Sequence, residues 1–160
     1  NEFSTVKKAI IIAAPHTSWH DFYIGVLLRS IIQLQINFVG KQSLFTPLTA
    51  WFFRSLGGTP IKRNGNENQV DSIARLFDNK EIFRMAIAPE GTRKKVDSWR
   101  TGFYYIAKKA NVPIVMITFD FKNTVNSISS PFIPTDDIVA DFKFLRPFFD
   151  GIIGKIPEYS

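Results

Sequence analysis

Lys7-Lys8-Ala9-Ile10-Ile11-Ile12-Ala13-Ala14-Pro15-His16-Thr17-Ser18-Trp19-His20-Asp21 is the stretch from which the rest of the chain is read. Its apolar run, residues 9–14, is short and centred on β-branched isoleucines, which marks a buried strand rather than a helix. Pro15 stops it, having no N–H to continue a ladder. Immediately afterwards Phe22, Ile24, Leu27, Leu28 and Ile31 form a dense apolar pattern over residues 20–33, a mostly buried helix with Asp21 in its first turn. A buried strand that turns directly into a helix is the unit of a layered α/β fold.

The unit repeats outward from there. Residues 36–39 read as a second strand, and 47–56 as a short helix closed by Gly57-Gly58. A third strand is expected over 59–62. Residues 66–80 carry Val70, Ile73, Ala74 and Phe77 at i, i+3, i+4 and i+7, an amphipathic helix. Residues 83–88 form a fourth strand, 101–110 a helix through Phe103, Ile106, Ala107 and Ala110, and 113–121 a fifth strand. Past Pro131 and Pro134 the pattern weakens to one helix from about Asp136 and an aromatic run over 142–149. Strands alternating with helices predict a single α/β domain over residues 1–160, with a largely parallel central sheet flanked by helices.

Composition narrows the function classes. The 160 residues hold no cysteine, which excludes a disulfide framework, a thiol nucleophile and a cysteine zinc site. No stretch approaches the ~20 apolar residues of a membrane span. A net charge of +6 fits an anionic partner: nucleic acid, an acidic lipid surface or a phosphorylated metabolite. The 16 Phe can fill a core, line a tunnel for an apolar substrate, or lie at a membrane interface. Two segments, 44–54 and 142–149, mix aromatics with cations, and each reads either as core or as an acyl-chain wall or membrane-facing surface. No RNP-like or helix-turn-helix signal accompanies the charge, so a nucleic-acid partner is not expected.

Two blocks carry candidate chemistry. In the first, His16 and Asp21 stand five positions apart at the end of a strand, where open α/β sheets place their ligands. With His16 in the turn and Asp21 in the first helical turn, the carboxylate fixes the imidazole tautomer and leaves the other ring nitrogen as a base. The plain alternative is a surface histidine followed by an acidic residue favoured by the helix dipole. His20 is a competing base, and Ser18 a competing nucleophile that lacks the strained elbow such serines occupy. The second block is Pro89-Glu90-Gly91-Thr92-Arg93. There Gly91 lets backbone N–H groups approach an anion and Arg93 clamps it, unless the block is simply a polar loop. Lys94 and Lys95 add charge, and Gly57-Gly58-Thr59-Pro60-Ile61-Lys62-Arg63 offers a second cationic strand end.

His16 with Asp21, Arg63 after its glycine-led strand, Pro89-Glu90-Gly91-Thr92-Arg93, and Val112-Pro113-Ile114 resemble, in order and spacing, the four blocks of the glycerolipid acyltransferases. This is the 1-acylglycerol-3-phosphate acyltransferase family, and the resemblance spans roughly residues 6–121. Pro15, Lys62 and Met116 depart from residues common in those blocks.

The resemblance implies transfer of a fatty acyl group from an acyl-CoA or acyl carrier protein thioester to the hydroxyl of a lysophosphatidate-like acceptor, in phospholipid biosynthesis. It implies His16 as general base and Asp21 as its orienter, with Arg63, Glu90, Gly91, Thr92 and Arg93 around the acceptor phosphate. Glu90, repelled by a phosphate, is expected to orient Arg93 or bind an acceptor hydroxyl. Because the thioester is already activated, no acyl-enzyme is expected; nor is a metal or a cofactor beyond the donor. Backbone N–H groups near Gly57-Gly58 are the candidate oxyanion donors. The expected setting is peripheral, on the cytoplasmic face of the cell membrane. The competing functions are acylation of another lyso-lipid, such as a lyso-amino-acid lipid, and a non-catalytic lipid-binding module.

Overall fold

The computed structural model describes residues 2–61 and 69–160. Strands and helices alternate as the sequence predicts. In chain order they are β1 (Lys8–Ala14), α1 (His20–Ile31), β2 (Asn37–Lys41), α2 (Ala50–Ser55), β3 (Gly58–Ile61), α3 (Gln69–Asp78), β4 (Phe83–Ile87), α4 (Gly102–Ala110), β5 (Ile114–Thr118) and α5 (Ile138–Leu145). The five strands form one sheet in the order β3-β2-β4-β1-β5, with every strand pair parallel.

Several boundaries move for local reasons. Helix α1 ends before Gln33, whose φ of +53° is left-handed and cannot continue a helix. β5 stops at Thr118, short of the predicted 121, because the chain turns at Asp120. The Asp120 carboxylate accepts the backbone N–H groups of Lys122 and Asn123, each at 3.1 Å, and the returning segment bridges β5 antiparallel at Ile117–Ile128 and Ile114–Phe132. Residues 62 and 66–68, predicted as the end of a strand and the start of a helix, lie outside the described residues.

A two-residue period sorts the strand side chains onto two faces. Ile10, Ile12, Met85, Ile114 and Met116 join Ile73 and Phe77 of α3 and Phe103, Ile106 and Ala107 of α4 in one buried cluster. The amphipathic faces predicted for these two helices are therefore their buried faces. On the other side Ala9, Ile11, Val115 and Ile117 pack beneath Ile24 and Leu28 of α1.

The two aromatic-cationic segments divide. In 142–149, Phe142, Phe148 and Phe149 pack against the first cluster while Phe144 is exposed; in 44–54, Phe45 is buried while Trp51 and Phe52 of α2 stand exposed. Helix α5 starts on a capping carboxylate: Asp137 accepts the N–H groups of Val139 and Ala140, both at 3.0 Å.

The strand order positions the site. β1 and β4 are neighbours, paired from Lys8–Phe83 to Ile12–Ile87, so the segments that leave their C-terminal ends emerge side by side. Those segments are the two chemistry-bearing blocks.

Candidate active site

The His16 block is organised by one carboxylate oxygen. Asp21 Oδ2 accepts the backbone N–H groups of Thr17 and Ser18, each at 2.7 Å, and lies 3.0 Å from His16 Nδ1. The Asp21 side chain is 1% exposed and that of His16 26%. A buried carboxylate so engaged holds the Nδ1–H tautomer and leaves Nε2 as the basic nitrogen. Asp21 sits in the first turn of α1, where the helix dipole favours its negative charge. Its second oxygen, Oδ1, is buried without a hydrogen-bond partner among the described residues.

The competitors separate by geometry. Ser18 Oγ lies 2.8 Å from Nδ1 of His20, not of His16, and the His20 ring stacks obliquely on Trp19 at 4.1 Å. Neither Ser18 nor His20 lines the cavity on which His16 stands.

The Glu90 block closes on His16 from the neighbouring strand. Glu90 Oε1 accepts the backbone N–H of His16 at 3.0 Å, across 74 residues of sequence. Glu90 thus holds the backbone of the candidate base, a role that spacing alone does not show. Its Oε2 is buried and has no hydrogen-bond partner among the described residues. Burial pushes the Glu90 carboxyl above its ordinary pKa, and the negative charge of Asp21 adds to that. The backbone N–H groups of Glu90 and His16 pull the other way.

Gly91 has φ +66°, and a Cβ there would lie 2.6 Å from Arg100 Nε. The left-handed backbone favours glycine there, whereas the Arg100 guanidinium, the far end of a flexible exposed side chain, can shift aside. Arg100 is the residue that the sequence reading misses. Its N–H donates to the Pro89 carbonyl at 2.9 Å, which folds the segment after the block back over the turn. The signal was an arginine just before a helix start, too common to single out.

These groups open onto one cavity of about 670 Å³. Its size falls in the roughly 300–1,000 Å³ range of small-molecule sites. His16, Asp21, Gly91, Thr92, Arg93 and Arg100 contribute polar lining. The remainder is mostly apolar and runs along both sheet faces: Phe22, Val26 and Phe119 on the α1 side, Val70, Ile73 and Phe103 on the α3–α4 side. Arg29 also borders it, with its guanidinium donating to the Leu56 carbonyl. Arg93 is exposed at the cavity wall, and Thr92 accepts the N–H of Lys94 through its hydroxyl at 3.4 Å.

Arg63 lies outside the described residues. The Gly57 N–H is donated to the Arg54 carbonyl at 2.9 Å, and neither Gly57 nor Gly58 lines the cavity. No cluster of histidine and carboxylate groups able to hold a metal occurs among the described residues. No described helix is long and apolar enough to cross a membrane.

A model of the Acyltransferase family matches residues 1–120. The chain is 32% identical over 113 residues to a 1-acyl-sn-glycerol-3-phosphate acyltransferase of Brassica napus (BAT2, chloroplastic), covering 68% of this chain and 32% of that protein. It is 28% identical over 110 residues to the Arabidopsis thaliana protein of the same name (LPAT1, chloroplastic), covering 66% of this chain and 31% of that one. The chain therefore spans about a third of the length of these relatives. No solved structure matches. A paired imidazole and carboxylate on the wall of a mostly apolar cavity, inside a match that covers three-quarters of the residues, leads to one conclusion: the chain belongs to the glycerolipid acyltransferase family.

Proposed function

We propose that the protein transfers a fatty acyl group from an acyl-CoA or acyl carrier protein thioester to the hydroxyl of a lysophosphatidate-like acceptor, in phospholipid biosynthesis. The observation that carries this reading is the 3.0 Å pairing of His16 Nδ1 with buried Asp21 Oδ2, on the wall of a cavity that also presents Arg93.

In the proposed step neutral His16 takes the acceptor hydroxyl proton on Nε2 as the oxygen attacks the thioester carbonyl. Asp21 stabilises the imidazolium that results. The tetrahedral intermediate expels the thiolate, and His16 returns the proton to sulfur, so the donor leaves as a free thiol and the acceptor as an ester. The step uses only the thioester and the acceptor. Holding both substrates in line with His16 contributes several kcal/mol toward the barrier.

Arg93, with Thr92, Gly91 and Arg63, is the proposed cradle for the acceptor phosphate, since a guanidinium matches phosphate oxygens two at a time. Glu90 enters through the His16 backbone rather than through the phosphate. The apolar reach of the cavity suits an acyl chain. We place the protein at the cytoplasmic face of the cell membrane, as a peripheral protein, because both proposed substrates carry long apolar chains.

The test is a matrix of lyso-lipid acceptors against labelled acyl-CoA and acyl carrier protein donors, read by lipid chromatography. Transfer to lysophosphatidate above all other acceptors is expected. Preference for a lyso-amino-acid lipid or another lysophospholipid overturns the acceptor assignment. No transfer with any pair overturns the enzymatic reading in favour of a lipid-binding module.

A further inference from the structure

The outer side of the α1 layer leaves large apolar groups in water. Trp19, Tyr23, Leu27 and Ile31 recur every fourth residue along α1, and all four are exposed. At that spacing they form one slowly winding stripe. A second exposed group lies before and within α2, at Leu48, Trp51 and Phe52. The most exposed members are Leu48 at 85%, Ile31 at 78% and Trp51 at 70%.

The two groups share a side of the sheet. Phe22 of α1 meets Phe38 of β2 edge-on at 5.0 Å, and a Cβ on Gly58 would touch both Phe38 and Phe45. Phe45, Phe53, Phe52 and Trp51 then follow at 5.8, 5.6 and 6.0 Å between successive rings. Two aromatic runs, Phe22–Phe38 at the cavity wall and Phe45-Phe53-Phe52-Trp51 out to α2, thus come together beside Gly58.

Charge on this part of the chain has one sign. Residues 22–61 contain no Asp or Glu, although the protein has 14; of their cations Arg29 is half-buried and donates to the Leu56 carbonyl, and Arg54 is exposed on α2. Asp21, at the foot of α1, is buried in the site. Exposed patches of this kind on a monomer mark an interaction surface. Trp and Tyr among exposed aliphatics, with basic residues and no acid, are complementary to an anionic lipid surface, where aromatic rings settle at headgroup level and cations meet acidic lipids.

We propose that the outer face of α1 and the tip of α2 seat the protein on an anionic bilayer. Seating by this face is independent of the chemistry at His16. One consequence rests on the acyl-transfer reading: Phe22 and Phe38 belong both to these aromatic runs and to the cavity wall, so a lyso-lipid passes from the bilayer into the cavity beside this face.

The test compares the wild type, the triple variant Ile31→Ser/Leu48→Ser/Trp51→Ser, Arg54→Glu and His16→Ala. Each is sedimented with vesicles of phosphatidylcholine alone or mixed with phosphatidylglycerol. None of Ile31, Leu48, Trp51 and Arg54 lines the cavity, and all are exposed, so folding is expected to survive and is checked by thermal melting. The wild type should bind the mixed vesicles and bind phosphatidylcholine weakly. The triple variant should lose about tenfold or more in vesicle affinity. Arg54→Glu should lose about fivefold or more at low salt, with a difference that shrinks as salt rises. His16→Ala should bind as the wild type does, which separates this proposal from the fate of the acyl-transfer reading.

Equal binding by wild type and triple variant overturns the proposal, as does equal wild-type binding to both vesicle types. So does a concentration-dependent dimer that the serine substitutions dissolve while vesicles remain unbound, since the face then serves a second copy of the chain.

Discussion

The backbone N–H of Ile156 donates to the hydroxyl of Thr17 at 3.2 Å, joining residues 139 positions apart. Thr17 is buried, and its own N–H is one of the two that hold the Asp21 carboxylate. The last residues of the chain therefore press on the loop that sets the His16–Asp21 geometry, although they lie beyond the 120 residues that the family model matches. Gly154 makes the approach possible, because a Cβ there would lie 2.6 Å from Thr17 Oγ1 and 2.7 Å from its methyl group.

Gly154→Ala should consequently lower both stability and turnover. Overpacking of a buried contact costs about 1–3 kcal/mol, and misplacing a catalytic group by about 1 Å can cost up to ~10²-fold in rate. Thermal melts and kcat measured on the same preparation check this. A lowered melting temperature with full turnover would show that the segment braces the fold and not the base.

His16→Ala should reduce turnover by at least ~10²-fold, the scale of lost general-base catalysis, with the fold intact. His20→Ala should have a much smaller effect, because its ring pairs with Ser18 and lies off the cavity. Steady-state kinetics of the two variants decide between them, and the reverse order would move the base to His20.

Arg93→Ala should raise the acceptor KM sharply and leave the donor KM nearly unchanged. Lysine at 93 should restore only part of the loss, since it cannot offer the two-pronged geometry of a guanidinium. Arg100→Ala should also raise the acceptor KM, because Arg100 shares the polar lining of the cavity and lies against Gly91. Initial rates with each substrate varied in turn are the check. An Arg100 variant with wild-type acceptor KM would reduce that residue to holding the turn.

Glu90→Gln should change how stability depends on pH. The folded state raises the Glu90 pKa above its ordinary 4.5, so the native protein binds a proton that the unfolded chain releases. That contribution is complete below the unfolded value and is lost as pH climbs through the higher folded value. The wild type should therefore lose stability relative to Glu90→Gln as pH rises from about 4.5. Glutamine keeps a carbonyl to accept the His16 N–H, so turnover should fall far less than in Glu90→Ala. Denaturant melts of the wild type and Glu90→Gln across pH are the measurement, and parallel curves would contradict the burial argument.

The layered fold was legible because burial leaves a local record. The isoleucines of β1 and the spacing of Val70, Ile73, Ala74 and Phe77 announce their elements within a few residues of sequence. The His16–Asp21 pair was legible for the same reason, being a relation across one turn. What was hidden is long-range. Glu90 reaches the His16 backbone only because β4 lies beside β1, and no periodicity encodes that adjacency. Thr17 and Gly154 meet only in the folded chain: Thr17 matters through the hydroxyl that accepts the Ile156 N–H, and Gly154 through the absence of a Cβ that would strike it. The aromatic segments divided between core and surface because alternation of apolar and basic residues fits both, until neighbouring elements either cover them or do not.

The pairing of β1 with β4 also bears on how the protein acquires its site. Lys8 and Phe83, the first partners in that register, are 75 positions apart, and the intervening chain must form β2 and β3 outside β4 in the finished sheet. Ordering such a loop is slow compared with winding α1 or α3, which need only local contacts. During refolding, helical signal should return first, and turnover should return only when the two central strands have found each other. Recovery of activity is then a clock for one specific long-range event in folding.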